Sequence, residues 1–209
     1  MGVDASGEMG KRVIERKLVA GTLVALALTA GGPQAAADST WRVTQGDVRV
    51  TVPLRPGGSF EARSTSLAGV LTLSGTRPAQ LAGELVVDLA TIDTGIELRN
   101  RHLRENYLEI AKGSGYDKAV LSEIRLAEAD GDAFEGRSPF IGSLRMHNVS
   151  KPVAGTAEIR REAAGMRVMA TFQIQLTDFA VEPPQYMGVG VGNKLIVKVA
   201  FSAARGAGR

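Results

Sequence analysis

Hydrophobic residues alternate with polar ones through most of the chain after about residue 40. A period of two is typical of β-strands that bury one face. Turn-forming sequences such as Pro56-Gly57-Gly58 and Gly75-Thr76-Arg77-Pro78 separate several of these segments. The pattern predicts eight strands, over residues 48–54, 67–73, 81–89, 119–127, 140–146, 153–159, 166–176 and 195–201.

One segment departs from this alternation. Thr94-Gly95-Ile96-Glu97 has the spacing of a capping box, in which a hydroxyl and a carboxylate satisfy free amide groups at the start of a helix. Gly113 and Gly115 are suited to end the helix. The sequence therefore predicts a single helix over about residues 95–111. Four apolar residues lie on one face of this helix at helical spacing, namely Ile96, Leu103, Tyr107 and Ile110.

The strand pattern favours an all-β fold in which eight antiparallel strands close into a barrel, because closure removes exposed sheet edges. The interior of such a barrel is either filled by side chains or holds one small ligand. Gly69, Gly83 and Gly142 share a strand face with leucines, valines and methionine, and only 5% of residues are aromatic. We therefore expect unfilled space inside. A β-sandwich with an ordinary core is the alternative that periodicity leaves open.

The N-terminal segment has the features of a secretory signal peptide. Basic residues within 11–17 precede an uncharged apolar run from Leu18 to Ala30, and Pro33-Gln34-Ala35-Ala36-Ala37 follows with small residues. The run is too short to span a bilayer as a helix, although an uncleaved anchor is the alternative. We predict export to the periplasm or the exterior. The predicted divisions are a signal peptide at 1–37, a barrel domain at 38–205 and a flexible tail at 206–209.

Composition and motifs argue against several functions. The chain has no cysteine, and a net charge of +3 without a clustered basic stripe does not favour nucleic-acid binding. Neither a G-x-S-x-G element nor a glycine-rich phosphate loop occurs. His102 and His147 lack metal-ligand spacing, and His147 is expected to point outward, on the face opposite Leu144 and Met146. We therefore predict a protein without catalysis, metal or cofactor.

Three stretches resemble the YceI-like family of polyisoprenoid-binding, lipocalin-like proteins of bacterial periplasms. They are TGIELRNRHLRENYL at residues 94–108, GSLRMHNVSKPV at 142–153 and FQIQLTDFAVEPP at 172–184. The resemblance implies an eight-stranded lipocalin-like barrel with one helix and an elongated apolar cavity for an isoprenoid. The family's early His-Thr-Leu-like element is Ser64-Thr65-Ser66-Leu67 in this chain.

A prenyl chain forms no hydrogen bonds, so it binds by burying apolar area at roughly 25 cal/mol per Å². Its pocket should be lined by aliphatic and aromatic side chains. Ordinary core packing is the alternative for each candidate taken singly. The predicted lining residues are Leu71, Leu85, Val87, Leu144, Met146, Phe172, Ile174 and Phe179, with Tyr107, Tyr186 and Met187 near the mouth.

Arg99, Arg101 and Arg104 lie close together in the predicted helix. Arginine binds phosphate through paired hydrogen bonds, so these residues are candidates for contact with a lipid head group. The alternative is a solvated helix face, with Arg101 and Glu105 forming an ion pair.

The leading hypothesis is a carrier or reservoir for an isoprenoid, such as a prenyl quinone or prenyl phosphate, with transient membrane contact. We expect a monomer or a homodimer. A lipid-processing enzyme that uses the same cavity is the second hypothesis. The third is an interaction module with a filled core and an exposed apolar patch.

Overall fold

The computed structural model describes residues 39–75, 77–131, 133–186 and 188–206. The predicted signal peptide, residues 1–37, lies outside these ranges, as do residues 207–209 of the predicted tail. Gly206, the first residue of that tail, donates its backbone N–H to the Thr40 carbonyl at 2.8 Å.

All eight predicted strands are present in the structure. Three shorter strands accompany them, and they were not predicted because a few residues carry too little periodicity to be recognised. In chain order the strands are β1 (Ser39–Arg55), β2 (Ser59–Ser64), β3 (Ala68–Ser74), β4 (Ala79–Asp88), β5 (Lys118–Leu126), β6 (Gly136–Met146), β7 (Val149–Glu162), β8 (Gly165–Gln175), β9 (Gln185–Tyr186), β10 (Val189–Val191) and β11 (Lys194–Arg205).

The sheet closes into a barrel, which excludes the β-sandwich. Its hydrogen-bonded order is β11-β8-β7-β6-β5-β4-β3-β1, and β1 pairs again with β11. This closing seam runs antiparallel from the Trp41–Arg205 pair to the Thr51–Ile196 pair. The predicted eight-stranded antiparallel barrel is confirmed.

The second half of β1 has a different neighbour on its other side. There β2 pairs with β1, from Val48–Ser64 to Pro53–Ser59, and β10 pairs with its end. Residues 65–67 separate β2 from β3. Leu67 folds over Gly46, where an added Cβ would lie only 2.6 Å from the Leu67 Cβ.

Side-chain alternation along the strands gives the barrel an apolar interior. On β8, for example, Val168, Phe172 and Ile174 are buried, whereas Thr171 and Gln173 between them are exposed. The same alternation on the other strands produces one continuous core of buried apolar residues.

The helical segment between β4 and β5 is shorter and less regular than predicted. An α-helix, α1 (Glu97–His102), continues into a π-helical turn over Leu103–Tyr107. Glu109 then adopts a left-handed conformation with φ of 50°, and a 3₁₀ turn over Ile110–Lys112 follows. The segment ends at Gly113, with φ of 80°. A left-handed residue cannot continue a right-handed helix, so the predicted span is interrupted at Glu109.

The predicted capping box is wrong. Ile96 precedes the helix without a side-chain cap. The Thr94 hydroxyl instead donates to Asn100 Oδ1 at 2.7 Å, and Asn100 Nδ2 donates to Asp93 Oδ1 at 2.9 Å. This Asn100 bond and the Gly95 N–H lower the pKa of Asp93. A buried asparagine, and not Glu97, therefore anchors the helix to the loop before it.

Candidate functional site

Two apolar cavities lie inside the barrel. Cavity A has a volume of about 80 Å³, and cavity B has a volume of about 110 Å³. A cavity needs only about 10–15 Å³ to hold one water molecule, so both are several times larger. The barrel interior is therefore not filled by its own side chains.

Cavity A lies toward the end of the barrel where β1 begins. Arg161 is the one charged side chain in its described lining, and the remaining residues are apolar. They are Trp41, Val43, Leu71, Leu73, Leu81, Leu85, Leu121, Ile124, Leu126, Ala129, Gly131, Phe134, Phe140, Ala157, Ile159, Met166, Val168, Ala170, Phe201 and Ala203.

Cavity B lies toward the helical segment. Its described lining is apolar apart from Arg63 and Ser64. The remaining residues are Val48, Val50, Ala62, Leu67, Leu85, Val87, Leu89, Ile92, Ala119, Leu121, Leu144, Met146, Phe172, Ile174, Val197 and Val199.

The two cavities lie end to end. On β8, Met166 faces cavity A and Ile174 faces cavity B, with no gap in the inward positions between them. At about 3.3 Å per residue and a strand tilt of about 35–45°, this stretch spans roughly 20 Å along the barrel axis. Leu85 and Leu121 border both cavities. The interior is thus an elongated apolar space with a constriction in the middle.

A pair of aromatic rings stands at this constriction. Phe140 lines cavity A and Phe172 lines cavity B, and their centroids lie 5.9 Å apart in an edge-to-face arrangement. Gly155 lies between them on β7 and pairs with both residues. An added Cβ on Gly155 would lie 2.7 Å from the Phe172 Cβ and 2.8 Å from Phe140 Cε1. The glycine therefore allows the two rings to meet.

The glycines that suggested empty space are not the origin of the cavities. An added Cβ on Gly69 would lie 2.3 Å from the Glu84 carbonyl oxygen, and one on Gly83 would lie 2.1 Å from the Val70 carbonyl oxygen. At Gly142 the nearest atom belongs to Leu121, at 3.1 Å. These glycines permit close strand contact, so the argument from them was wrong although the inferred space exists.

Seven of the predicted pocket residues line the cavities. Leu71 and Leu85 face cavity A, and Leu85 also faces cavity B. Cavity B is also lined by Val87, Leu144, Met146, Phe172 and Ile174. Contact of these residues with a ligand stays a prediction.

The other four predicted residues are placed differently. Phe179 is fully buried and Tyr107 is half-buried, but neither is among the described lining residues of the two cavities. Phe179 belongs to a 3₁₀ turn after β8, where strand alternation no longer decides its direction. The side chain of Tyr186 and the whole of Met187 lie outside the described residues.

Most of cavity A was missed by sequence reasoning. Trp41, Phe140 and Phe201 line it, together with Ile159 and Val168. All five occupy alternating apolar positions, which show that a side chain faces inward but not whether it adjoins empty space or another side chain. Alternation therefore predicted the correct face of each strand but not where the empty space lies.

The three candidate head-group arginines have different environments. Arg99 lies over the Phe60 ring, 4.1 Å from its centroid, and Arg101 is exposed. Arg104 Nη2 donates to the carbonyl of Ile92, a cavity B residue, at 3.3 Å. Its Nε is buried without a hydrogen-bond partner among the described residues. Arg104 is therefore the best placed of the three, and its head-group role stays a prediction.

The alternative ion pair between Arg101 and Glu105 is not formed among the described contacts, where each of the two residues is exposed. The change from α-helix to π-helical turn after His102 alters the spacing on which an i, i+4 pair depends.

Hydroxyl groups gather at one side of cavity B. The Ser64 Oγ, a buried cavity B atom, lies 2.7 Å from the Thr91 hydroxyl and 3.0 Å from the Ser66 hydroxyl. Thr91 also donates to the Asp88 carbonyl at 2.7 Å. Because the hydroxyls satisfy one another, this polar wall of the cavity is stable without a ligand.

His147 is buried, contrary to the prediction that it points outward. Its φ is 51°, and it follows the last residue of β6, so strand alternation does not set its direction. Nδ1 lies 3.0 Å from the Phe179 carbonyl oxygen and Nε2 lies 3.1 Å from Glu109 Oε2. Tyr116 packs edge-on against the ring. His147 thus connects three segments at this end of the barrel.

Glu109 has a second cationic partner in Lys112, whose Nζ lies 2.7 Å from Glu109 Oε2. The Lys112 hydrogen bond, followed by that of His147, lowers the pKa of Glu109. No group of three histidine or acidic side chains able to hold a metal ion occurs among the described residues. The helices in the described ranges are also too short or too polar to cross a membrane.

Comparisons with known proteins support the same fold. A polyisoprenoid-binding domain from Saccharophagus degradans, implicated in plant cell wall breakdown, has a TM-score of 0.58 at 18% identity. The alignment covers 83% of this chain and the whole of that domain. BcnA of Burkholderia cenocepacia has a TM-score of 0.56 at 13% identity, with 75% of this chain covering 96% of it. No curated protein sequence matches the chain. The YceI-like domain model matches residues 40–203, which is most of the sequence, and the chain therefore belongs to the YceI-like family.

Proposed function

We propose that the protein is an exported, non-catalytic carrier that encloses a long apolar lipid, an isoprenoid such as a prenyl quinone or prenyl phosphate. The observation that carries the proposal is the pair of apolar cavities lying end to end inside the barrel. The Saccharophagus relative, which is named as a polyisoprenoid-binding domain, supports the same class of ligand.

The chemistry of the lining fits such a ligand. Water in these cavities would find few hydrogen-bond partners, whereas a buried water needs two to four. Methyl and methylene groups would instead gain roughly 25 cal/mol for each Å² of apolar area removed from solvent. The cavities therefore favour hydrocarbon over water.

A lipid chain that occupies both cavities has to pass the constriction between them. The Phe140 and Phe172 rings, with Leu85 and Leu121, must move aside or turn for this to happen. Short apolar chains should consequently bind within one cavity, and long ones should bind more slowly. The energy needed to open the constriction lowers the apparent affinity for long chains.

Extraction of the purified protein with organic solvent, followed by mass spectrometry, tests the proposal. We expect a co-purifying isoprenoid, or uptake of an added prenyl quinone by protein from which lipid has been removed. A protein that contains no lipid and takes up no prenyl quinone would refute the carrier function.

A further inference from the structure

At the end of the barrel where cavity A lies, two arginines occupy inward-facing positions of their strands, and Arg161 lines the cavity. On β7, Ala157 and Ile159 face cavity A, and Arg161 continues the same alternation and also lines it. On β11, Phe201 and Ala203 face the cavity, and Arg205 occupies the next inward position. The rest of this face is apolar. Arg161 is half-buried, whereas Arg205, at the end of β11, is exposed.

Trp41 brings the two arginines together. The guanidinium carbon of Arg161 lies 5.1 Å from the Trp41 ring centroid, and that of Arg205 lies 5.8 Å from it. Trp41 Nε1 donates to Ser39 Oγ at 3.1 Å, which fixes the indole in place. Trp41 is buried and is the direct strand partner of Arg205. Two positive charges therefore lie beside the indole, which itself lines cavity A.

Arg161 has no carboxylate within ion-pair distance among the described residues. It is half-buried, so solvent hydrates its charge only in part. Guanidinium groups bind carboxylate and phosphate oxygens through paired, charge-assisted hydrogen bonds. A negative group at this position would offset the lost hydration of Arg161. The hydrocarbon tail of an amphiphile that carries this group would then adjoin the apolar cavity.

We propose that Trp41, Arg161 and Arg205 form a binding site for the anionic head group of a single-chain lipid, a carboxylate or a phosphate, with the tail in cavity A. This inference rests on the proposed function, since it takes lipid occupancy of the barrel as given. It places the head group at the end of the barrel opposite Arg104. The ligand is thereby specified as an anionic amphiphile and its direction in the barrel is fixed.

Trp41 makes the site directly observable because it is the only tryptophan in the sequence. Titration of the purified protein with dodecanoate, dodecyl phosphate or dodecanol, followed by tryptophan emission and calorimetry, measures affinity at this end. The three probes share a chain length and differ in the charge of the head. Inorganic phosphate alone forms a fourth arm, which separates recognition of an amphiphile from recognition of a free anion.

Arg161→Gln and Arg205→Gln each remove one of the proposed head-group contacts. Arg167→Gln is the matched control, because Arg167 is exposed on the outer face of the neighbouring strand β8 and its loss changes the net charge equally. Arg104→Gln removes the best-placed arginine at the other end. Loss of one charge-assisted contact should weaken binding by about tenfold or more.

The proposal expects both anionic probes to bind more tightly than dodecanol. Arg161→Gln and Arg205→Gln should each weaken binding of the anionic probes by about tenfold or more while leaving dodecanol affinity unchanged. Arg167→Gln and Arg104→Gln should behave as wild type. Equal affinity for charged and neutral probes, or a preference lost only in Arg104→Gln, overturns the head-group site but leaves the carrier function intact. Tight binding of inorganic phosphate alone overturns it as well. Failure of every lipid probe to bind, together with no uptake of prenyl quinone, refutes the carrier function itself.

Discussion

Truncation of Phe172 tests whether the aromatic pair divides the interior. Replacing a core phenylalanine by alanine costs about 3–5 kcal/mol of unfolding free energy, depending on how many contacts are lost. Phe172 already borders a void, since it lines cavity B. We therefore expect Phe172→Ala to lie near the low end, at about 3 kcal/mol.

Phe179→Ala is the matched control. Phe179 is 1% exposed and is not among the described residues that line either cavity. Its ring is therefore packed on all sides, and truncation should cost about 5 kcal/mol, near the upper end of the range. The two variants remove the same atoms and differ in whether those atoms adjoin the proposed ligand space.

The ligand response separates the variants further. Without the Phe172 ring the constriction between cavities A and B should widen, and a long prenyl chain no longer has to displace that ring. Urea unfolding with and without geranylgeraniol measures the effect. A ligand at one hundred times its Kd stabilises a protein by about 2.7 kcal/mol, so Phe172→Ala should recover most of its deficit. Wild type and Phe179→Ala should gain less at the same concentration.

Two results would contradict this reasoning. One is a decrease in unfolding free energy in Phe172→Ala as large as that in Phe179→Ala, which would mean that the Phe172 ring is fully packed. The other is a geranylgeraniol stabilisation no greater in Phe172→Ala than in wild type, which would mean that the ring does not obstruct the chain.

Two further predictions concern stability. Gly155→Ala should lower the unfolding free energy by about 1–3 kcal/mol in urea titrations, because the new Cβ would lie 2.3 Å from a backbone carbonyl oxygen. Gly57→Ala is the control: its Cβ enters open space, so its unfolding free energy should stay within about 0.5 kcal/mol of wild type. Equal effects of the two substitutions would contradict the packing argument. The pKa of Glu109 is lowered below its usual 4.5 by Lys112 and His147, so the ionised carboxylate stabilises the folded state above that pH. The difference in unfolding free energy between wild type and Glu109→Gln should therefore be at its full value near neutral pH and shrink as the pH falls below about 4.5. A difference that grew on acidification would show that the pKa of Glu109 is not lowered in the folded state.

The strands could be predicted from the sequence because alternation reports directly on which face of a strand is buried. Eight alternating segments in one domain favour a sheet that closes into a barrel, and the family resemblance pointed to the same barrel. The long run from Met166 to Leu176 shows how clear the signal is, although its last residue belongs to a 3₁₀ turn.

The parts that were missed depend on contacts between distant residues. His147 is buried because its backbone is left-handed and its ring meets Glu109, which is 38 positions away. Asn100 replaces Glu97 at the helix start because its amide bridges Thr94 and Asp93. Neither local propensity nor spacing reports such contacts, since each requires the loops to be placed first.

The closing seam between β1 and β11 joins residues from the two ends of the described chain. A nascent polypeptide that lacks β11 would leave two strands unpaired, and exposed edges of this kind promote aggregation. Pairing over such sequence distances is also slow. The interior is therefore enclosed only once β11 has paired with β1. An apolar ligand present when this seam forms would be enclosed by the closing of the barrel itself, a route separate from later uptake by the folded protein.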